Sequence, residues 1–128
     1  MTETNPILDA IAQIVAAVKL VPRDVLGTEV LAYTEVGEEA EPPAVVIGPP
    51  ALDFQAQTRS ATSADVEVFV VVDVSEGSLD QLYRLAPAVA AAIDEHVENG
   101  VVTGARPGLY PLGTRELPAY SISVSIDL

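Results

Sequence analysis

The chain opens on a helix written in its spacing. Ile7, Leu8, Ile11, Ile14, Val15 and Val18 recur at helical intervals, with Asp9, Gln13 and Lys19 on the other side, which is the pattern of a single apolar stripe. Asn5 suits the capping position, and Pro6 suits the first helical position, where its missing N–H has no partner to lose. Pro22 sets the end, because the residue before a proline avoids the helical region.

Strand patterns follow. Glu29–Thr34 is a short candidate, and Glu35, Glu38, Glu39 and Glu41 then crowd into what reads as a solvated turn closed by Pro42 and Pro43. Ala44–Ile47 reads as a second strand, ended by Gly48, Pro49 and Pro50, whereas Ala51 to Ala64 shows no period. A connection that long in a compact domain is usually functional or mobile. Asp65–Val74 is the strongest strand: Val66, Val68, Val70, Val72 and Val74 share one face at period two. Asp65, Glu67 and Asp73 mark the ends of the opposite face, but its middle holds Phe69 and Val71. A solvated face would not carry them, so something must cover them.

After a turn at Glu76-Gly77, Ser78 and Gln81 form a capping-box pair, and Leu79, Leu82, Ala86, Val89, Ile93 and Val97 form the stripe of a second helix. Pro87 should kink this helix without ending it, since the stripe continues on both sides, and Asn99-Gly100 should terminate it. Asp94, Glu95 and Glu98 sit at the end where the helix dipole disfavours negative charge. Val101 to Leu117 reads as loop-rich because of Gly104, Pro107, Gly108, Pro111 and Gly113, with one short strand near Leu109–Leu112. The chain closes on an amphipathic strand in which Tyr120, Ile122, Val124, Ile126 and Leu128 alternate with Ser121, Ser123, Ser125 and Asp127. The order α-β-β-β-α-β-β implies an α+β fold, a mostly antiparallel sheet with two helices packed on one face.

Composition narrows what such a domain does. The 128 residues, 49% of them hydrophobic, suffice for one domain with a packed core. With 19 Asp+Glu against 6 Lys+Arg, the net charge is −13, which argues against gripping a phosphate backbone. No cysteine is present, so disulfides, thiolate zinc sites and thiol catalysis are excluded together. The aromatics are few: Tyr33, Phe54, Phe69, Tyr83, Tyr110 and Tyr120. The first residues lack the basic start of a secretory signal, and no apolar run approaches the roughly 18 to 20 residues that span a bilayer. A soluble protein, made and kept in a cytoplasm and without membrane contact, is expected.

Candidate chemistry is thin. His96 lies between Glu95 and Val97 without a partner histidine or a serine nucleophile motif. Ser121, Ser123 and Ser125 read as the polar side of a strand, since none sits in a Gly-x-Ser-x-Gly elbow. Asp73, Glu76 and Asp80 offer at best a weak divalent-cation site. The loops at Gly48-Pro49-Pro50 and at Gly104–Gly108 contain prolines, which lack an N–H for phosphate. No enzyme, cofactor or metal is expected. What remains is surface for proteins: Phe69 and Val71 beyond the helix-covered layer, the long connection that includes Phe54, and scarce cations in or beside loops (Arg59, Arg106, Arg115), with Tyr110 nearby. Such arginines suit an acidic patch on a neighbour, and identical subunits meeting head to tail can close a ring.

The whole-chain order carries a resemblance. An N-terminal helix, a short strand, the segment PPAVVIGPP with its Gly-Pro exit, a long loop, the strand DVEVFVVVDV, an Ala-rich helix and the closing ELPAYSISVSIDL are together similar to the tail terminator (tail completion) proteins of long-tailed, siphovirus-type bacteriophages, especially those of high-GC actinobacteria. The resemblance implies a homohexameric ring that caps the head-proximal end of the tail tube. It would stop tube polymerisation, join the tail to the head–tail connector or stopper protein, and let DNA pass through an acidic lumen without specific binding. Its partners would be copies of itself, the major tail tube protein and the connector, and its place the virion after assembly in the host cytoplasm. The family transfers no catalytic residue. Two other readings are a head-completion or stopper protein of the neck, and a small cytoplasmic ligand-binding α+β domain.

Overall fold

The computed structural model describes residues 5–25, 27, 30–34, 41–54 and 61–128. Helix α1 spans Pro6–Lys19, and a 3-10 turn follows at Arg23–Val25. Four strands come next, β1 (Leu31–Tyr33), β2 (Ala44–Ile47), β3 (Ala51–Asp53) and β4 (Ser63–Val71), then helix α2 (Ser78–His96) and the strands β5 (Gly100–Leu112) and β6 (Arg115–Asp127). The fold is α+β. The sheet runs β1-β2-β4-β6-β5, with β3 also paired to β4, and all these pairings are antiparallel except β1 with β2. Both helices lie on one face, where Ile14, Val18, Leu82, Leu85, Val89 and Ile93 pack on Val45, Val66, Val68, Val70, Ile122 and Val124.

The start of α1 follows its sequence signals. The Asn5 side-chain oxygen accepts the N–H groups of Ile7 and Leu8 at 3.0 and 3.2 Å, so two orphan donors of the first turn find a partner. The buried line runs through Ala10, Ile14, Ala17 and Val18 and leaves Leu8 outside. Small residues at the contact line let a helix pack close to its neighbour.

Helix α2 differs in detail from its expected form. Gly77 is the N-cap with no side-chain cap bond, so Ser78 and Gln81 form no capping box; the Gln81 N–H goes instead to the Gly77 carbonyl. The buried stripe is Leu82, Leu85, Ala86, Val89 and Ile93, continued by Val97, while Leu79 is 58% exposed. Leu85 stands three residues after Leu82 and four before Val89, on the face that meets the sheet, whereas Leu79 belongs to the first turn, at the edge of that contact. The helix continues through Pro87, whose ring is on the exposed side. It ends at His96, and Asn99 takes the left-handed conformation (φ 58°) that turns the chain into β5.

Three sheet elements correct the sequence expectations. The stretch after Pro50 is not all connection: β3 lies along the first residues of β4, so β2 and β3 form one interrupted edge beside it. Gly48, Pro49 and Pro50 bulge between them, opposite Val66 and Glu67, and the Gly48 N–H is given to the Glu67 carbonyl at 2.9 Å. A Cβ at Gly48 would come within 3.2 Å of that carbonyl oxygen. Strand β4 begins at Ser63 and ends at Val71, and Val74 lies beyond it, exposed. Finally, the supposed loops after Val101 form the continuous strand β5, interrupted only by a bulge between Val102 and Gly104. Its prolines are compatible with pairing because β5 is an edge strand, on which a proline nitrogen can face away from the ladder.

Candidate interface on the helix-free face

Strand pairing lays out the sheet face opposite the helices row by row, since directly paired residues share a face. From one end the rows are Leu112 with Arg115, then Tyr110 with Leu117, then Ala44, Val71, Ala119 and Gly108. The next row is Val46, Phe69, Ser121 and Arg106, followed by Glu67, Ser123 and Gly104, and last Asp65, Ser125 and Val101. This face is apolar at one end and polar at the other.

The apolar end has a small core of its own. Val71 (1% exposed), Leu117 (0%) and Ala119 are buried, with Val46, Phe69, Tyr110 and Leu112 packed around them. The rings of Phe69 and Tyr110 approach to 5.2 Å, tilted by 50°. On a flat sheet, positions two strands across and four residues along would stand about 17 Å apart, given roughly 4.8 Å between strands and 3.4 Å per residue. The tip of the β5–β6 hairpin therefore bends over this face and brings Tyr110 onto Phe69. This corrects the expectation that Val71 awaits cover from a neighbouring molecule: its own chain buries it, and it cannot be an interface residue. Phe69 and Tyr110 are half-buried and keep an outward side.

The polar end is organised by Glu67. Its carboxylate accepts the hydroxyls of both Ser121 and Ser123, the latter at 2.9 Å. The Thr103 hydroxyl donates to the Ser123 carbonyl at 3.3 Å, and Arg106 completes the wall of a groove of about 480 Å³. Beside it, at the bulge, the Val102 N–H goes to Asp94 Oδ1 of α2 at 3.3 Å, so this acidic residue near the helix end binds the neighbouring strand. The serine hydroxyls are committed to a carboxylate, and no histidine lines the groove. The groove presents donors and acceptors held in place by these bonds.

Arg106 is within strand β5 and not in a loop, while Arg115, the first residue of β6, stands beside the hairpin turn and pairs with Asp73 at 3.4 Å. Asp73 also accepts the Val74 N–H, and Asp80 pairs with Arg84 at 3.0 Å. Two of the three carboxylates of the suggested cation site are thus engaged elsewhere, and among the described residues no group of three or more His, Asp or Glu side chains could hold a metal ion. His96 is exposed, 4.0 Å from Glu95. Phe54 follows β3 and is 58% exposed, and Arg59 lies outside the described residues. A second cleft, of about 170 Å³, lies between the start of α1 and the end of β6, lined by Asp9, Gln13, Glu98 and Asp127. It is small beside the roughly 300 to 1,000 Å³ of typical ligand pockets. Among the described residues no helix is long and apolar enough to cross a membrane.

Sequence reasoning missed Glu67 as the centre of the polar row. The signal was there, because a carboxylate midway along a strand and serines at period two on another strand of the same sheet meet whenever the two strands pair. No family model matches the chain, and no curated protein matches it in sequence.

Proposed function

We propose that this chain is a structural component of a phage tail, a tail terminator whose copies form a ring at the head-proximal end of the tail tube. The observation that carries the reading is the asymmetry of the sheet: both helices on one face, and on the other a surface with an apolar, partly open end and a polar end ordered around Glu67. That surface suits contact with protein, and the element order, apart from the added strand β3, is the one on which the resemblance to tail terminators rests. Phe69, Tyr110, Arg106 and Arg115 lie on this face, and Phe54 is exposed elsewhere as a further contact point, whereas Val71 is internal. The charge of −13 fits a ring through which DNA slides without being held.

Electron microscopy of the chain mixed with polymerising tail tube protein tests this reading. Rings at one end of each tube, with tube growth stopped there, are expected. Binding to the portal-side adaptor with bare tube ends would reassign the chain to the neck. A monomer that co-purifies with a tightly held small molecule would favour a ligand-binding domain instead.

A further inference from the structure

The hairpin that bends over Phe69 on one face of the sheet leaves its other side open, along the seam between β5 and α2. Ala105 pairs with Ile122, Pro107 with Tyr120 and Leu109 with Pro118, and both Ile122 and Tyr120 belong to the helix-covered core. Directly paired residues share a face, so Ala105, Pro107 and Leu109 are on the helix side of β5. All three are nevertheless exposed, Leu109 to 64%. On α2, Leu79, Tyr83, Pro87 and Asp94 fall on one flank, within about 80° of arc. The bond from the Val102 N–H to Asp94 identifies that flank as the one facing β5.

The two rows stand level with each other. β4 and β5 both start opposite the last residues of β6, and α2 returns from the end of β4 to the start of β5, so α2 and β5 run in opposite directions. Counted from the Asp94–Val102 contact, Tyr83 lies about 16 Å back along the helix and Pro107 about 14 Å along the strand; for Leu79 and Leu109 the distances are about 22 and 20 Å. Tyr83 therefore faces the level of Pro107, and Leu79 that of Leu109. With Tyr83 59% and Leu79 58% exposed, three large apolar side chains gather on one open strip, the kind of cluster that marks a contact site.

The strand edge and the charges define the partner. An extended peptide added to β5 would need outward N–H groups, and Pro107 and Pro111 have none. A helix needs none, because its backbone is satisfied internally. From Leu79 to Pro87 is about 12 Å, the length covered by apolar residues at i, i+4 and i+7 of a docked helix. Carboxylates stand at both ends of the strip: Asp94 at one, and at the other the exposed Glu116, which is paired with Pro111 on the same side. The one arginine of α2, Arg84, is held by Asp80 at 3.0 Å, and Arg106 and Arg115 are on the opposite sheet face. A second copy, itself at −13, is repelled by such ends, whereas a cationic segment is attracted.

We infer that the strip between α2 and β5 docks an amphipathic helix of another protein, with apolar side chains against Leu79, Tyr83 and Leu109 and Lys or Arg at its ends to meet Asp94 and Glu116. The inference is independent of the tail reading.

A short fluorescent peptide of leucine and lysine, with the leucines on one helical face, is the probe, titrated with the full chain by fluorescence anisotropy. It should bind, and more weakly at high salt. Peptides with serine in place of leucine, or glutamate in place of lysine, should bind at least about tenfold more weakly. Tyr83→Ser and Leu109→Ser should each weaken binding of the leucine–lysine peptide about tenfold, and Glu116→Lys about threefold. Leu8→Ser on α1, at a site equally exposed (63%), should leave it unchanged. Circular dichroism checks that each variant is folded. Absence of binding, equal affinity for the serine–lysine peptide, or a Leu8→Ser protein as impaired as Leu109→Ser would each overturn the inference. So would self-association in sedimentation velocity that Leu109→Ser abolishes, since it would give the strip to a second copy.

Discussion

The two faces of one sheet bury apolar side chains in different ways. Under the helices, Val66, Val68 and Val70 of β4 and Ile122 and Val124 of β6 are sealed by a second layer of structure, and the burial is continuous from strand to strand. On the other face, Val71, Leu117 and Ala119 are equally dry, yet no helix covers them; the sheet's own hairpin bends until Phe69, Tyr110, Val46 and Leu112 close the gap. Below that patch the same face turns polar within one row, at Glu67 and Ser123. An apolar residue on a helix-free face is therefore no sufficient sign of a partner, because bending the sheet can bury it just as well. The sign of a partner has to come from what stays outside after the sheet has bent.

The largest effect that sharpens this contrast is expected at Leu85. It is fully buried between α2 and the sheet, and truncation removes its contacts and leaves a cavity in a rigid layer. Leu85→Ala should cost about 2 to 5 kcal/mol of unfolding free energy, read by urea denaturation followed by circular dichroism. Leu79→Ala, one helix turn from Leu82 but exposed, should change stability by less than about 0.5 kcal/mol. Equal costs at the two positions would mean that α2 does not present its Leu85 face to the sheet.

Leu117→Ala comes next and bears directly on the helix-free face. Leu117 is as inaccessible as Leu85, but its neighbours Phe69, Tyr110 and Leu112 are half-exposed and free to settle into the space. The cost should fall at the low end of the range for such truncations, about 2 kcal/mol. Quenching of tyrosine fluorescence by acrylamide should rise as Tyr110 loosens. A cost near zero would show that the hairpin tip does not close over this face.

Much of the covered layer could be read from the residues. Asn5 and Pro6 mark the start of α1, Ala44–Ile47 reads as a strand with the bounds it has, and the valines of β4 announce the face that meets the helices. These signals are local: a cap, a period of two, a period near 3.6. The other face was hard to read because it depends on relations between distant segments. Strand β5 was hidden by Gly104, Pro107, Gly108 and Pro111, which mark a loop unless it is known that the strand is at an edge. With three residues, β3 is too short to display a period. That Phe69 and Val71 needed cover was legible; that Tyr110, 41 positions after Phe69 in the chain, would provide it was not.

The smallest effect is expected where the helix-free face turns polar. Glu67 holds the hydroxyls of Ser121 and Ser123 across the β4–β6 pair, a tie between neighbouring strands that are already joined by their backbone ladder. Glu67→Gln keeps one acceptor oxygen in place and removes the charge. The serines lie in an open groove, where water can take over a lost bond, so little of the usual strength of a bond to a charged group is at stake. A loss below about 1 kcal/mol is expected, measured by the same urea titration, with the fold unchanged by circular dichroism. A loss as large as that of Leu117→Ala would mean that the polar row is a structural brace comparable to the apolar patch beside it. The division of this face into a dry end that stabilises and a wet end that adds little to stability would then have to be abandoned.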